Sequence, residues 1–246
     1  FKPFDPSNKD NLTPRVELDR FSTRKDLLKG LDAARVSGKG AESVQFYKGQ
    51  AYDVILGSAK EAFAVEKESE ATKALYGSTK AKDIGEQLLL ARRLAENGTK
   101  FITLHYGGWD MHQNIEAGFN RQGPELDRAY AALISDLDER GLLDSTLVMM
   151  SSEFGRTPKI NKDSGRDHYP RVFSVALAGG GITRGQVYGA SDAFATAPEE
   201  NPLSVEDLAT TVYDRIGIVA DKELMAPGDR PMEIVDGGKV IKELCV

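Results

Sequence analysis

The stretch TLVMMSSEFGRTP, residues 146–158, decides the fold class because an apolar run leads directly into a polar loop. Its apolar part, Thr146–Met150, has no polar alternation, which is typical of a short strand buried on both faces. Two further runs have the same character, Phe101–Tyr106 and Phe173–Ala178, and each ends on glycines. Helical patterns lie between the runs. Together they predict an α/β fold in which helices cover both faces of a mostly parallel sheet.

The rest of the chain is predicted to be largely helical. Pro124 is a favoured residue of a first helical turn, so a helix is expected to begin near it and to end at Gly141. Ser204 and Asp207 form the pattern of a capping box, which predicts a last helix over Val205–Ile216. Apolar residues at helical spacing predict earlier helices over 20–34, 41–58, 61–73 and 83–96, and the last of these is expected to end on the cap pair Asn97-Gly98. The chain thus divides into a mostly helical part (1–98), a strand and helix core with the polar loops (99–220) and an irregular tail (221–246).

The composition excludes several classes of protein. A chain of 246 residues is long enough for one large domain or two small ones. Its 32 Lys and Arg against 38 Asp and Glu give a net charge of −6, which argues against a nucleic-acid-binding protein. No apolar stretch approaches the roughly 20 residues that span a bilayer. Cys245 is the only cysteine, so a metal site would have to consist of carboxylates and some of the three histidines.

Residues that can bind a metal follow the predicted strands. The loop after the run at 101–106 contains Asp110 and His112. A loop after the run at 146–150 contains Asp167 and His168. Loops at the carboxyl ends of parallel strands form the ligand crevice of an open α/β sheet, so these loops are expected to share one pocket. Imidazole and carboxylate ligands together suit Zn, Mn or Fe. The alternative is that a loop carboxylate only orients a histidine or caps a helix.

Other conspicuous residues lie in or near these loops. Arg156 and Arg166 have guanidinium groups that match phosphate, sulfate or carboxylate. His105, inside a predicted strand, is expected to be a hydrogen-bonded core residue, and Trp109 is expected to be a packing anchor. Gly179–Gly181 is better explained as a turn that lets the backbone pass close to its neighbours than as an anion-binding loop. The Gly-x-Ser-x-Gly pattern of a serine nucleophile does not occur.

Six motifs, in one order along the chain, resemble those of a bacterial protein family. They are ARRL (91–94), GWDMH (108–112), RGLLD (140–144), EFGRTP (153–158), GRDHYP (165–170) and AGGG (178–181). The chain is similar, from its start to about Ile218, to domain-of-unknown-function family number 1501, a branch of the alkaline-phosphatase-like (sulfatase) superfamily. The resemblance implies a three-layer fold, a sheet flanked by helices, of which this chain is the C-terminal part of a single domain. It also implies chemistry on phosphate or sulfate esters with one or two divalent metal ions.

The resemblance extends to individual site residues. Asp110 and His112 match the Asp and His ligands that follow a middle strand of the superfamily fold. His168 looks like the histidine ligand that the superfamily has toward the C-terminal end of the sequence. Asp167 precedes it directly as a further carboxylate. The two arginines of these loops would hold the anionic oxygens of the ester as charge develops in the transition state.

One motif departs from the superfamily pattern. Ser152–Gly155 lies where the superfamily usually has Ser-Asp-His-Gly, whose Asp and His bind metal. Glu153 would keep a carboxylate ligand at this place. Phe154 cannot coordinate a metal ion, so half of one metal site is altered.

The superfamily has its nucleophile and further aspartate ligands near the amino terminus, and this chain resembles the family only beyond that region. Phe1 matches the middle of the family's length, so the first part of the fold, the nucleophile and a twin-arginine export signal would precede it. The resemblance therefore implies a periplasmic or exported protein. Without the central strands, sheet edges and apolar surface would be exposed, which predicts self-association.

Two functions are consistent with these residues. The first is a metal-dependent hydrolase of phosphate or sulfate esters, acting on a small anionic substrate, of which this chain holds the C-terminal half of the site and would be inactive alone. Its metal ligands would be Asp110, His112, Glu153, Asp167 and His168, and its catalytic groups Arg156 and Arg166. The alternative is an exported, non-catalytic binding protein with a degraded metal site on the same fold. The hydrolase requires that His112 and His168, far apart in the chain, converge on one pocket.

Overall fold

The computed structural model describes residues 14–33, 39–56, 59–79 and 83–246. The chain divides into two units, one of Phe1–Ala74 with Ser78–Leu104 and one of Leu75–Gly77 with His105–Val246. All seven candidate site residues belong to the second unit. The ends of two predicted helices, at residues 34 and 57–58, lie outside the described residues. None of the helices in the described ranges combines the length and the apolar content needed to cross a membrane.

In the described part of the first unit the regular elements are helices. They are α1 (Leu18–Ala33), α2 (Lys39–Leu56), α3 (Ala59–Ala62), α4 (Glu70–Tyr76, whose last two residues belong to the second unit) and α5 (Ile84–Glu96). α5 begins where the Asp83 side chain accepts a 2.8 Å hydrogen bond from the Glu86 amide, and it ends at the predicted cap pair, residues 97–98. The single helix predicted over 61–73 is wrong. The backbone leaves helical geometry at Ala64, and the buried Val65 starts a separate 3₁₀ turn.

Two arginines of the first motif, Arg92 and Arg93, connect α5 to the turn before α4. Arg92 is 1% exposed, and its guanidinium lies 2.9 Å from Glu68 Oε1 and 2.6 Å from Glu96 Oε2. Arg93 also pairs with Glu68, and it donates to the carbonyl of Ala62 at 2.9 Å. Burial acts to raise the pKa of Glu68, but hydrogen bonds from both arginines outweigh it and leave that pKa below its usual value. The packing of the first unit therefore accounts for this motif.

The second unit combines two long helices with short strands. The helices are α6 (Ile115–Glu139) and α7 (Val205–Arg215). The strands are β1 (Val148–Met150), β2 (Gly155–Arg156), β3 (His168–Tyr169), β4 (Ala176–Ala178), β5 (Ala190–Ser191), β6 (Pro198–Glu200), β7 (Glu223–Ala226) and β8 (Arg230–Glu233). In the described residues they form four two-stranded sheets, β1–β4, β2–β3, β5–β6 and β7–β8, all antiparallel. The tail after residue 220 thus contains a hairpin, β7–β8.

The mostly parallel sheet predicted from the sequence is wrong for the described residues, although the coarser α/β assignment is confirmed. The runs at 146–150 and 173–178 do form strands, but β1 pairs directly with β4 in antiparallel register, Met149 opposite Leu177. The run at 101–106 forms no strand, and Phe101 is 78% exposed. His105, expected in the core, is also exposed. An apolar run indicates only that its side chains can be buried. It does not indicate the direction of the strand or the neighbouring strand with which it pairs.

α6 leads away from the candidate site. It begins at Ile115, well before Pro124, which lies inside the helix. The start near Pro124 was predicted because proline favours a first helical turn, and the turns of α6 before it contain few apolar residues that would have indicated an earlier start. The second half of α6 is anchored: Leu133 and Leu137 are buried, and the Tyr76 hydroxyl donates a 2.9 Å hydrogen bond to a buried carboxylate, that of Asp136. This packing fixes the helix that follows the site.

Two local predictions in the second unit are confirmed. Ser204 Oγ accepts a 3.0 Å hydrogen bond from the Asp207 amide, and the Asp207 carboxylate accepts one from the Ser204 amide, which completes the capping box of α7. A Cβ at Gly179 would lie 2.3 Å from the carbonyl oxygens of both Leu143 and Thr146. The triple glycine is therefore a turn through which the backbone passes close to its neighbours.

Candidate metal centre

Two backbone segments that lie side by side build the site. Hydrogen bonds join them from Arg166 N to Met111 O (3.1 Å), from Asn114 N to Asp163 O (3.1 Å) and from Ile115 N to Ser164 O (2.9 Å). α6 follows the first segment at once, so this segment is held both by its neighbour and by the helix. The side chains of residues 110 and 112 are thereby fixed beside those of residues 167 and 168.

Gly165 permits this close approach. A Cβ at this position would lie 2.0 Å from the carbonyl carbon of His112 and 2.4 Å from the amide nitrogen of Gln113. Both distances are far shorter than any van der Waals contact, and both involve backbone atoms that cannot rotate away. The glycine of the GRDHYP motif is therefore required by the contact between the two segments.

A second pairing brings an arginine to the same place. β2 and β3 are antiparallel, with Arg156 opposite His168 and Gly155 opposite Tyr169. Directly opposed residues of an antiparallel pair have side chains on the same face, about 5 Å apart. The two motifs EFGRTP and GRDHYP thus form one unit that presents a guanidinium beside an imidazole.

The side chains of Asp110, His112 and His168 converge. His112 Nε2 lies 3.1 Å from His168 Nε2 and 3.1 Å from Asp110 Oδ1, and His168 Nε2 lies 2.9 Å from the same oxygen. The convergence of the two histidines, on which the hydrolase interpretation depended, is confirmed. We refer to these three residues as the triad. Asp110 and His168 are exposed and His112 is half-buried, so small molecules can reach the ligand atoms.

Asp167 holds His112 in one orientation. Its Oδ1 lies 2.7 Å from His112 Nδ1, and a carboxylate in this position accepts the Nδ1 proton. The neutral ring then has its lone pair on Nε2, the atom that faces the other two members of the triad. A histidine that donates one ring N–H to a carboxylate and turns its other nitrogen to a metal is a recurrent arrangement in metal sites. Asp167 is therefore a positioning residue in this geometry, and its carboxylate is not one of the three converging ligands.

The surroundings keep both carboxylates of the site ionised. The hydrogen bond from His168, followed by that from Arg156, lowers the pKa of Asp110 to about 2. The hydrogen bond from His112, with a smaller contribution from Asn161, lowers the pKa of Asp167. Both groups therefore carry negative charge at neutral pH, as a metal ligand and a histidine-orienting group must.

These shifts predict how stability depends on acid in the metal-free protein. A carboxyl whose pKa is lower in the folded state stabilises the fold above the unfolded value of about 3.9 and loses this contribution as the pH falls toward its folded value. The urea concentration at the midpoint of unfolding should fall as the pH is lowered from about 4 to about 2. We expect this fall to be smaller in the Asp110→Asn, Asp167→Asn double variant. Asp221→Asn, at an exposed position away from the site, is the control. An equally steep decline in the double variant would contradict the prediction.

Arg156 and Phe154 complete the immediate surroundings of the triad. Arg156 Nη2 donates to Asp110 Oδ1 at 2.7 Å, and its Nη1 donates to the carbonyl of Arg166 at 3.3 Å. The Phe154 ring packs on His168 with 4.3 Å between ring centroids, and the Arg156 guanidinium lies 5.8 Å from the Phe154 centroid. Phe154 thus packs against one ring of the triad although it cannot itself bind a metal ion.

Two residues predicted for the site, Glu153 and Arg166, lie outside the triad. Glu153 is exposed and does not belong to the group of converging ligand atoms. The Arg166 guanidinium donates to the carbonyl of Thr157 at 3.2 Å, and its backbone amide joins the two segments. The structure therefore brings together Asp110, His112 and His168, with Asp167 and Arg156 in direct contact with them.

Asn161 is a site residue that the sequence analysis missed. Its Nδ2 donates to the His112 carbonyl at 3.0 Å and to Asp167 Oδ1 at 3.2 Å. Its Oδ1 accepts from the amides of Asp163 and Gly165, at 3.0 and 2.9 Å. One side chain thus shapes the turn and holds both His112 and its carboxylate partner. The run Asn-Lys-Asp-Ser-Gly at 161–165 has the sequence pattern of a turn stabilised by a side chain. This pattern could have identified Asn161 from the sequence.

The triad fits a divalent metal ion. Two neutral imidazole nitrogens and one carboxylate oxygen suit Zn, Mn or Fe. An ion with bonds of about 2.1 Å that meet near 90° holds its ligand atoms about 3.0 Å apart, close to the distances in the triad.

Comparison with known proteins agrees with the motifs. A family model with the description "Protein of unknown function (DUF1501)" matches residues 3–245, and this confirms the family that the six motifs predicted. No curated protein and no solved structure gives a significant match.

Proposed function

Since the chain belongs to the DUF1501 family, we propose that the protein is a metal-dependent hydrolase of phosphate or sulfate esters. In this proposal its fold is that of the alkaline-phosphatase-like superfamily, with a three-layer sheet completed by chain outside these residues, and the protein is exported. The observation that carries the proposal is the triad, in which His112, His168 and Asp110 converge to within 3.1 Å of one another.

Each residue of the site has a defined task in this reaction. Asp110, His112 and His168 would hold the ion, which supplies Lewis-acid polarisation of the ester and a more acidic bound water. Asp167 keeps the proton of His112 on Nδ1, so that Nε2 remains available as a ligand. Arg156, fixed 2.7 Å from Asp110, offers its guanidinium to an anionic oxygen of the ester, where it stabilises the charge that develops in the transition state. Glu153 and Arg166 receive no step, because Glu153 is not one of the converging groups and the Arg166 guanidinium donates to the Thr157 carbonyl.

The test is hydrolysis of nitrophenyl phosphate and nitrophenyl sulfate by the full-length protein with added Mn²⁺ or Zn²⁺. We expect activity that a chelator removes and that the Asp110→Ala, His112→Ala double variant lacks. His105→Ala is the matched control, because His105 is an exposed histidine of the same unit outside the triad. Activity that survives in the double variant would overturn the assignment of the ligands.

A second candidate function is an exported, non-catalytic binding protein on the same fold. Phe154 favours it, because a ring that cannot ligate stands where the superfamily resemblance expects a metal-binding histidine. The metal content of the purified full-length protein separates the two functions. A hydrolase of this type retains about one or more tightly bound transition ions per chain, whereas the binding protein is expected to contain none.

A further inference from the structure

We propose that a cavity between α1 and α2 binds a small organic anion, one whose acidic head carries a short apolar chain. The cavity belongs to the first unit, whereas every residue of the candidate metal centre belongs to the second. The proposal therefore gives the protein a second site, and it depends neither on metal binding nor on ester hydrolysis.

The cavity lies where the segment before α1 and one face of α1 meet α2. Its volume is about 270 Å³, close to the lower end of the roughly 300–1,000 Å³ that small-molecule sites occupy. The two helices meet here through Phe21 and Tyr52, whose rings pack edge to face with 5.8 Å between their centroids. A space of this size suits a compact ligand.

The apolar part of the lining suits a hydrocarbon chain. It consists of Val16, Phe21, Leu28 and Tyr52. Leu28 is 37% exposed and the other three are half-buried, so part of this apolar surface still contacts water. A chain that entered the cavity would be removed from water together with these side chains, which favours binding in proportion to the apolar area buried.

The polar part of the lining is cationic. It consists of Arg15, Arg24 and Lys25, and no carboxylate of the described residues lines the cavity. Within the described ranges, none of the three cations forms an ion pair with an acidic side chain. The Lys25 ammonium lies 5.1 Å from the centroid of the Tyr52 ring instead. The charge of the lining is therefore complementary to an anion.

Two of these cations occupy positions of α1 that ordinarily carry apolar residues. Phe21, Arg24, Lys25 and Leu28 stand at i, i+3, i+4 and i+7, so they share one face of the helix. A helix that only packs on a neighbour has apolar residues at such positions. Here the two central ones are charged and line the same cavity as the apolar pair. Packing between the helices does not account for this pattern, whereas binding of an anion does.

A lining of this composition selects its ligand by head and by chain. An anionic head can accept charge-assisted hydrogen bonds from the guanidinium and ammonium groups, and the chain can be buried against the apolar side chains. A neutral molecule with the same chain gains only the burial. A molecule with a cationic head is repelled by the three lining cations.

The first test compares octanoate, 1-octanol and octylammonium, which share one chain and differ in the charge of the head. Isothermal titration calorimetry is done on the full-length protein after a chelating resin has removed metal ions, so that no ion at the triad can bind the carboxylate. We expect one octanoate per chain, affinity for 1-octanol that is lower by roughly 10-fold or more, and no binding of octylammonium. No octanoate binding at millimolar concentrations, or equal affinities for octanoate and 1-octanol, would overturn the proposal.

The second test removes the cations of the cavity. The Arg24→Gln, Lys25→Gln double variant is expected to bind octanoate roughly 10-fold more weakly or worse and 1-octanol as before. The matched control is the Arg20→Gln, Lys29→Gln double variant, which loses two exposed cations of the same helix that do not line the cavity. Equal weakening in both variants would show that only the overall charge of the helix matters, and it would overturn the proposal.

The third test locates the ligand. Leu28 lines the cavity, whereas its neighbour Leu27, which is 65% exposed, does not. Leu28→Asp would put a negative charge at the lining, so we expect it to abolish octanoate binding, and Leu27→Asp should retain it. Neither leucine is buried, and circular dichroism confirms that both variants fold. Octanoate binding that survives Leu28→Asp would show that the ligand lies elsewhere and would overturn the proposal.

Discussion

Alanine in place of both His112 and His168 is expected to lower the affinity for Mn²⁺ or Zn²⁺ by far more than 100-fold. Loss of a group that only orients a ligand already costs roughly 10- to 100-fold in metal affinity, and here two of the three converging ligand atoms are removed. The effect on folding should be small, because His168 is exposed and His112 is only half-buried. Isothermal titration calorimetry with the metal, with circular dichroism to confirm the fold, measures both quantities.

A graded series makes this prediction sharper. Asp167→Asn keeps all three ligands but replaces the acceptor of the His112 Nδ1 proton, so we expect a loss of roughly 10- to 100-fold. His105→Ala removes the third histidine of the chain, which lies outside the triad, and should leave the affinity unchanged. Equal affinities across the series would show that the metal binds elsewhere.

Gly165→Ala is expected to lower the free energy of unfolding by about 3 kcal/mol and to weaken metal binding, although no ligand is altered. The added Cβ would lie 2.0 Å from the carbonyl carbon of His112, so the two segments of the site must separate. This separation would move His112 away from His168 and would break the backbone hydrogen bonds between the segments. Urea unfolding monitored at equilibrium gives the stability, and calorimetry gives the metal affinity.

Gly107→Ala is the matched control for this change. A Cβ there would have His105 Nε2, at 3.8 Å, as its nearest neighbour, which is an ordinary contact. Both substitutions add one methyl group to a glycine near the site, but only one of them meets backbone. If Gly165→Ala destabilises the protein no more than Gly107→Ala, the close approach of the two segments is not the constraint described above.

The convergence of Asp110, His112 and His168 could be predicted from the sequence, although the parallel sheet on which that prediction was based does not form. All three are polar groups in loops that follow apolar runs, and imidazole and carboxylate groups of this kind can share one metal ion. The different tasks of Asp167 and Asp110 could not be predicted in the same way. Both are Asp residues within two positions of a histidine, and only the pairing of the two segments decides which one orients a ring and which one joins the triad.

Sheet topology was the least predictable part of the fold. The runs at 146–150 and 173–178 were recognised as strands, but their direct antiparallel pairing depends on contacts that are distant in sequence. The capping box at Ser204 and the cap of α5 were predicted well, since each depends on residues a few positions apart. Asn161 could not be assigned to the site for the same reason, because its role depends on contacts that are distant in sequence. Its turn is visible in the sequence, whereas its bonds to His112 and Asp167 exist only after folding.

Asp110 and His168 stand 58 positions apart, and α6, β1 and β2 lie between them along the chain. An ion shared by both would act as a removable crosslink, since unfolding the second unit would have to release it. A ligand that binds only the folded chain adds about 2.7 kcal/mol of stability at 100 times its dissociation constant. A thermal-shift screen would therefore rank divalent cations by the melting temperature that each one confers, before any substrate has been identified.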